Sequence, residues 1–226
     1  MTFSRSNCPE PTPAPDELTA RMVGIGMNFA AKAEGNADIE STLLHASVLG
    51  MVDGDLRVLA VLTTWLGVHH THVNADRLVR LVVTHPSERV RAYWAAAATW
   101  LKKDRRLARL AGAYKGAPLE LLPTGTEFQL KRRGEDERFT RSKLRVPKGT
   151  LRDRHEDVLS PEVLVRGHAG YRNRVLMGPS FRADVWTALE HAPELSIADA
   201  ARKASCSFAT AWQAAQDYRL LRAAGV

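Results

Sequence analysis

The chain has 226 residues, of which 45% are apolar and only 7% aromatic, and carries a net charge of +7. It is long enough to bury a core as one large or two small domains, and too apolar to be disordered. No apolar run reaches the roughly 20 residues of a membrane span, MTFSRSNCPEPTPAPDE lacks a secretory apolar stretch, and Cys8 and Cys206 cannot build a disulfide framework, so a soluble, cytoplasmic, reducing setting is expected.

Residues 1–15 alternate Pro with polar side chains and read as a disordered tail. Asp16 then caps a helix through ELTARMVGIGMNFAAKA, weakened by Gly24 and Gly26, which mark a close helix contact; Gly35-Asn36 ends it. Asp38 opens IESTLLHASVLGMV, with Ile39, Leu43 and Ala46 at helical spacing, and Asp53-Gly54 breaks it. Asp55 starts LRVLAVLTTWLGV, apolar most of the way round and so buried. After HHTH, Asn74 or Asp76 starts RLVRLVV; Pro86-Ser87 interrupts, and Glu88 begins RVRAYWAAAATWL.

LAVLTTWL (59–66) and WAAAATWL (94–101) match at an offset of 35 residues, with Trp65 and Trp100 read as core. Residues 38–101 weakly resemble the paired helices of HEAT and armadillo repeats, which implies helices stacking through Leu/Trp/Ala stripes. Together 16–115 reads as one helical domain, closed by the basic amphipathic KKDRRLARLAGAYK and stopped by Gly116 and Pro118.

Residues 116–159 read as a basic linker or a small β-element. In the second case Thr126, Phe128 and Leu130 form one arm of a hairpin, turning at Arg133–Asp136 into Arg138-Phe139. Ser160-Pro161-Glu162 starts a helix through VLVRGHAGYRNRVLM to Gly178-Pro179; Ser180 caps FRADVWTALEHA, Pro193 ends it, and Ser196 caps the next.

The last of these segments, SIADAARKASCSFATAWQAAQDYRLL, has small residues where two helices would cross (Ala200, Ala201, Ala204), apolar Cys206 after a turn, Ser207 as a cap, and Ala211 and Ala214 facing inward. Phe181, Val185, Trp186 and Leu189 would close a three-helix core. This stretch resembles the helix-turn-helix superfamily, the LSxAxLAxxxxxSxxTxxRxxxxLxxxGL kind of bacterial regulators, over Ser180–Leu221 only. Its usual turn Gly is Ser205, and no β-wing follows. The resemblance implies a 160–226 domain whose second helix meets double-stranded DNA through Ser207, Phe208, Thr210, Trp212, Gln213 and Gln216. Gln213 suits an adenine edge and Ser207 a phosphate.

Charge points the same way. Residues 1–100 hold 8 basic and 10 acidic side chains, residues 101–226 hold 24 and 15. A phosphate grip is expected from Lys131, Arg132, Arg133, Arg141, Lys143 and Arg145, with Arg172 and Arg174 beside the terminal segment. A solvated basic surface is the plain alternative.

No nucleophile elbow, P-loop or dinucleotide glycine pattern occurs, so no catalytic residue and no cofactor is assigned. HHTHVNAD (His69, His70, His72, Asp76) has a hint of metal spacing but reads as an interhelix loop with exposed histidines, and no metal is expected. GYRNR (170–174) reads as a hinge docking the terminal unit, with Leu176 and Met177 buried.

The expectation is a mainly α protein: an N-terminal helical bundle of paired helices, a basic, partly β middle, and a C-terminal tri-helical helix-turn-helix-like domain. It would serve as a DNA-binding regulator, its N-terminal helices sensing or holding a protein partner, in a layout similar to antitoxins that repress their own operons. A homodimer fits an operator-binding role. The alternatives are a non-catalytic protein-interaction module and a metal-dependent hydrolase.

Overall fold

A computed structural model describes residues 12–225, and the chain is mainly helical. Most of the tail 1–15, with Cys8, lies outside the described residues, and α1 (Pro15–Gly24) already starts at Pro15. The expected run to Ala33 does not form. Gly26 takes φ +92°, and the Gly26 and Met27 amides donate back to Val23 and Met22, closing the helix with a Schellman turn. A Cβ on Gly24 would sit 2.1 Å from the Glu34 carbonyl oxygen. The two glycines therefore serve a tight chain reversal, not a helix–helix contact.

The centre of the body is α2 (Ile39–Met51), which packs against α1, α3 (Leu56–His69), α4 (Ala75–Val83) and α5 (Glu88–Trp100). Asp38, Asp55, Asn74 and Ser87 cap α2 to α5, each accepting an amide of the first turn. Gly50 lets α3 approach, since a Cβ there would meet the Leu59 side chain at 2.7 Å. The two matching octapeptides fall on α3 and α5, which both pack on α2. Trp65 is fully buried and donates to the Ile25 carbonyl; Trp94, also buried, donates to Ser47 Oγ. Trp100 is only half-buried, its ring edge over Gly67.

The middle departs most from expectation. Arg105–Gly112 is a 3-10 helix, which stacks Leu107 and Leu110 into the core at its three-residue period. Thr126, Phe128 and Leu130 do not form a hairpin arm: Thr126–Arg133 is helix α6, set between Gly125 and Gly134, both at positive φ. The strands are β1 (Leu119–Glu120) and β2 (Leu144–Arg145), a two-residue parallel pair. Phe139, Leu144, Val146 and Leu151 anchor this segment in the main core. Arg89 of α5 donates to the Met51, Glu120 and Leu121 carbonyls, joining the end of α2 to β1.

The helix expected from Ser160 to Gly178 is two, α7 (Pro161–Gly167) and α8 (Ala169–Met177). His168 divides them. Its Nδ1 accepts the Tyr171 amide as an N-cap, and Nε2–H donates to the Ala37 carbonyl. Leu176, expected inside, is 73% exposed, and Met177 is only partly buried. Then α9 (Phe181–His191), α10 (Ile197–Lys203) and α11 (Phe208–Ala223) enclose a second apolar cluster of Val185, Leu189, Tyr218 and six alanines. Phe181 is not in it; its ring lies under the Arg80 guanidinium of α4.

Body and terminal helices meet at a buried polar junction. Arg174 of α8 places Nη1 and Nη2 on the two Glu40 oxygens at 2.7 and 2.8 Å. Its Nε and Nη2 reach Asp184 Oδ1, and Nη1 also reaches the His72 carbonyl, so all five N–H groups have acceptors. Asn74 completes the link, its amide donating to Glu40 and its Nδ2 to Asp184. Burial works against the charge on Arg174, but Asp184 and Glu40 outweigh it and hold the guanidinium above its ordinary pKa. Burial pushes the Glu40 carboxyl up, while Arg174 draws it down. Replacing Arg174 by Ala leaves two carboxylates buried without their cation. A loss of about 3–5 kcal/mol is expected, measured by urea unfolding, with a smaller loss for Arg174→Lys.

The junction also requires neutral histidines. His69 Nε2 faces the Leu159 carbonyl and Nδ1 faces the Tyr171 hydroxyl, which sets the Nε2–H tautomer. Desolvation lowers its pKa to about 4, and lowers that of His168 as well. Between pH 6.5 and 4 the unfolded chain then binds more protons than the folded one, so stability falls on acidification through that window. Up to about 1.4 kcal/mol per pH unit is expected from His69. Unfolding midpoints of the native chain and His69→Gln across pH 4–7 check this; the variant should show the shallower decline.

Candidate nucleic-acid interface

The link between α10 and α11 is built by backbone chemistry. Ser205 takes φ +52°, the Ser205 amide donates to Arg202 and the Cys206 amide to Ala201, so a Schellman turn ends α10 at a residue other than glycine. Arg80 of α4 donates to the Ser205 carbonyl from the body side. Ser207 Oγ then caps α11, accepting the Thr210 amide and sharing a 2.8 Å hydrogen bond with Thr210 Oγ1. Ala200, Ala201, Ala204, Ala211 and Ala214 are buried where the helices cross. Cys206 is half-buried, and burial pushes its thiol pKa up.

That packing leaves one face of α11 in solvent. Phe208 (58% exposed), Trp212 (46%), Gln213 and Gln216 stand on it, and Leu220 continues it. Ser207 and Thr210 sit at its edge, partly buried and bonded to each other. Positive charge is sparse here: Arg202 pairs with Asp199 and Arg182 with Asp217, leaving Lys203, Arg219 and, in the last turn of α11, Arg222 without an ion pair.

The expected phosphate grip divides. Lys131, Arg132 and Arg133 project from the last turn of α6; Lys131 pairs with Glu127, the other two with nothing. Arg141 is exposed and unpartnered. Lys143 donates to the Lys115 and Gly116 carbonyls, and Arg145 lies 4.0 Å from Glu120. Arg145 lies on β2, which packs on α5, and none of these side chains belongs to the α9–α11 cluster. Arg172 is exposed beside Glu190. Arg174 is a correction: enclosed by Glu40 and Asp184, it has no N–H left for a phosphate.

His69 is also a correction, being buried in the junction rather than exposed in a loop. Among the described residues no group of three or more His, Cys, Asp or Glu is placed to hold a metal ion. Also among the described residues, no helix is long and apolar enough to cross a membrane. The sequence reading missed Glu40, Asn74, Arg80 and Asp184 as junction residues. A charged Glu40 opening an otherwise apolar α2 was the available signal. No protein-family profile, curated protein or solved structure matches the chain.

Left-handed backbone at Ser205 carries strain that Gly would not. Ser205→Gly is expected to stabilise by up to about 1 kcal/mol, and Ser207→Ala to cost about 1 kcal/mol through the lost cap. Thermal unfolding of the two variants reads both signs.

Proposed function

We propose that α9–α11 is a helix-turn-helix unit and that the chain is a DNA-binding regulator, with α11 entering the major groove. The observation that supports this most is the exposed Gln213 in the first half of a helix that follows a tight turn and stands on an alanine crossing, with exposed Gln216 one turn further on. Recognition helices read bases from that part of the helix, and a Gln amide can bond an adenine in bidentate fashion. The exposed cations Arg132, Arg133 and Arg141 support a phosphate contribution. Repression of its own operon, in the manner of antitoxins, is the biological form of this reading.

A second reading rests on Phe208 and Trp212. Two exposed aromatics with few cations around them fit a protein-binding helix, since aromatic anchors carry interface energy. Binding to the DNA upstream of its own gene and to a scrambled duplex, across a salt series, separates the readings. The regulator binds its own DNA selectively, and Gln213→Ala reduces that preference by about 1–3 kcal/mol. Weak and equal binding to both duplexes would sink the reading head.

A further inference from the structure

We infer that the segment joining α5 to the 3-10 helix, through Lys102, Lys103 and Arg105, is the surface along which the DNA backbone runs. This rests on the proposed DNA-binding reading and adds a phosphate contact to the few cations on and beside α11. Three observations carry it.

First, these three cations are exposed and have no ion pair or hydrogen bond, whereas their neighbours Arg106 and Arg109 are engaged by Asp104 and Asp76. Free cations are the ones that can exchange condensed counterions for phosphate.

Second, the segment runs between two shallow clefts of about 290 Å³ each. One is lined by Lys102, Arg138 and Arg141 together with Glu137, the other by Asn74, Asp76, Arg105 and Pro179 among others. Lys102 and Arg105 are three residues apart, so the segment links Arg141 of the basic middle to the α8–α9 joint. Both clefts are shallow and mostly polar, which suits a passing backbone better than an enclosed ligand.

Third, α4 connects the second cleft to α11. Its first residues line that cleft, and Arg80 in its last turn holds the Ser205 carbonyl just before α11.

The test is the double variant Lys102→Gln/Arg105→Gln in the full chain, titrated with the upstream and scrambled duplexes across a salt series. Its control is Lys32→Gln/Arg166→Gln, which removes the same charge from the α1–α2 loop and α7. Both pairs are exposed, and unchanged melting temperatures confirm intact folding. The expected result is a salt slope shallower by about 1.8, from two contacts at about 0.9 each, with affinity lowered equally on both duplexes and the control slope unchanged. An unchanged slope in the double variant, or an equal fall in the control, overturns the assignment while leaving DNA binding intact. Failure of the native chain to bind either duplex at low salt overturns both.

Discussion

One buried arginine holds the two parts of this fold in register. Arg174 lies between Glu40 of the body and Asp184 of the terminal helices, with every N–H spent. Ion pairs this deep contribute little net stability, because desolvation offsets most of the attraction. Their geometry is demanding, however. A guanidinium fork that must meet two carboxylates and a backbone carbonyl fixes the angle at which α8 leaves the body. That angle decides where α9 begins.

The other contacts across the joint are directional for the same reason. Asn74 caps α4 with one oxygen and reaches Asp184 with its amide, so a helix start doubles as a docking contact. His168 caps α8 and bonds Ala37, while His69 bonds Tyr171. Arg80 lies over Phe181 and bonds the Ser205 carbonyl. A purely apolar joint would slide or rotate at little cost; hydrogen-bonded polar groups in low dielectric do not. A reading head on this base would present α11 as a fixed edge of the body.

Local chemistry made much of the helical framework legible. Asp38, Asp55, Asn74, Ser196 and Ser207 cap helices because a short side-chain oxygen meets the free amides of the first turn; Ser87, read as part of a break, also caps, while Ser180 makes no side-chain cap bond. The alanine crossing in α10 and α11 was legible because only small residues at that spacing permit two short helices to touch. The middle was not legible in this way. Thr126, Phe128 and Leu130 alternate like a strand, yet two flanking glycines at positive φ isolate them as one short helix. Propensity over eight residues is too weak to decide between such states. His168 was missed because imidazole is an uncommon cap and its second nitrogen needed a partner 131 residues away.

The sequence alone determined that the chain is mainly helical, where most helices begin, and that its last forty residues carry small, apolar and polar side chains at crossing, core and surface positions. These are properties of spacing and of side chains acting on their own backbone. Only the tertiary structure decided which charges are free. Arg174 and Arg105 look equally available in a list of basic residues, but one is enclosed by Glu40 and Asp184 and the other stands in solvent without a partner. The Arg174–Glu40 pair joins residues 134 apart in the chain, and no local pattern encodes it.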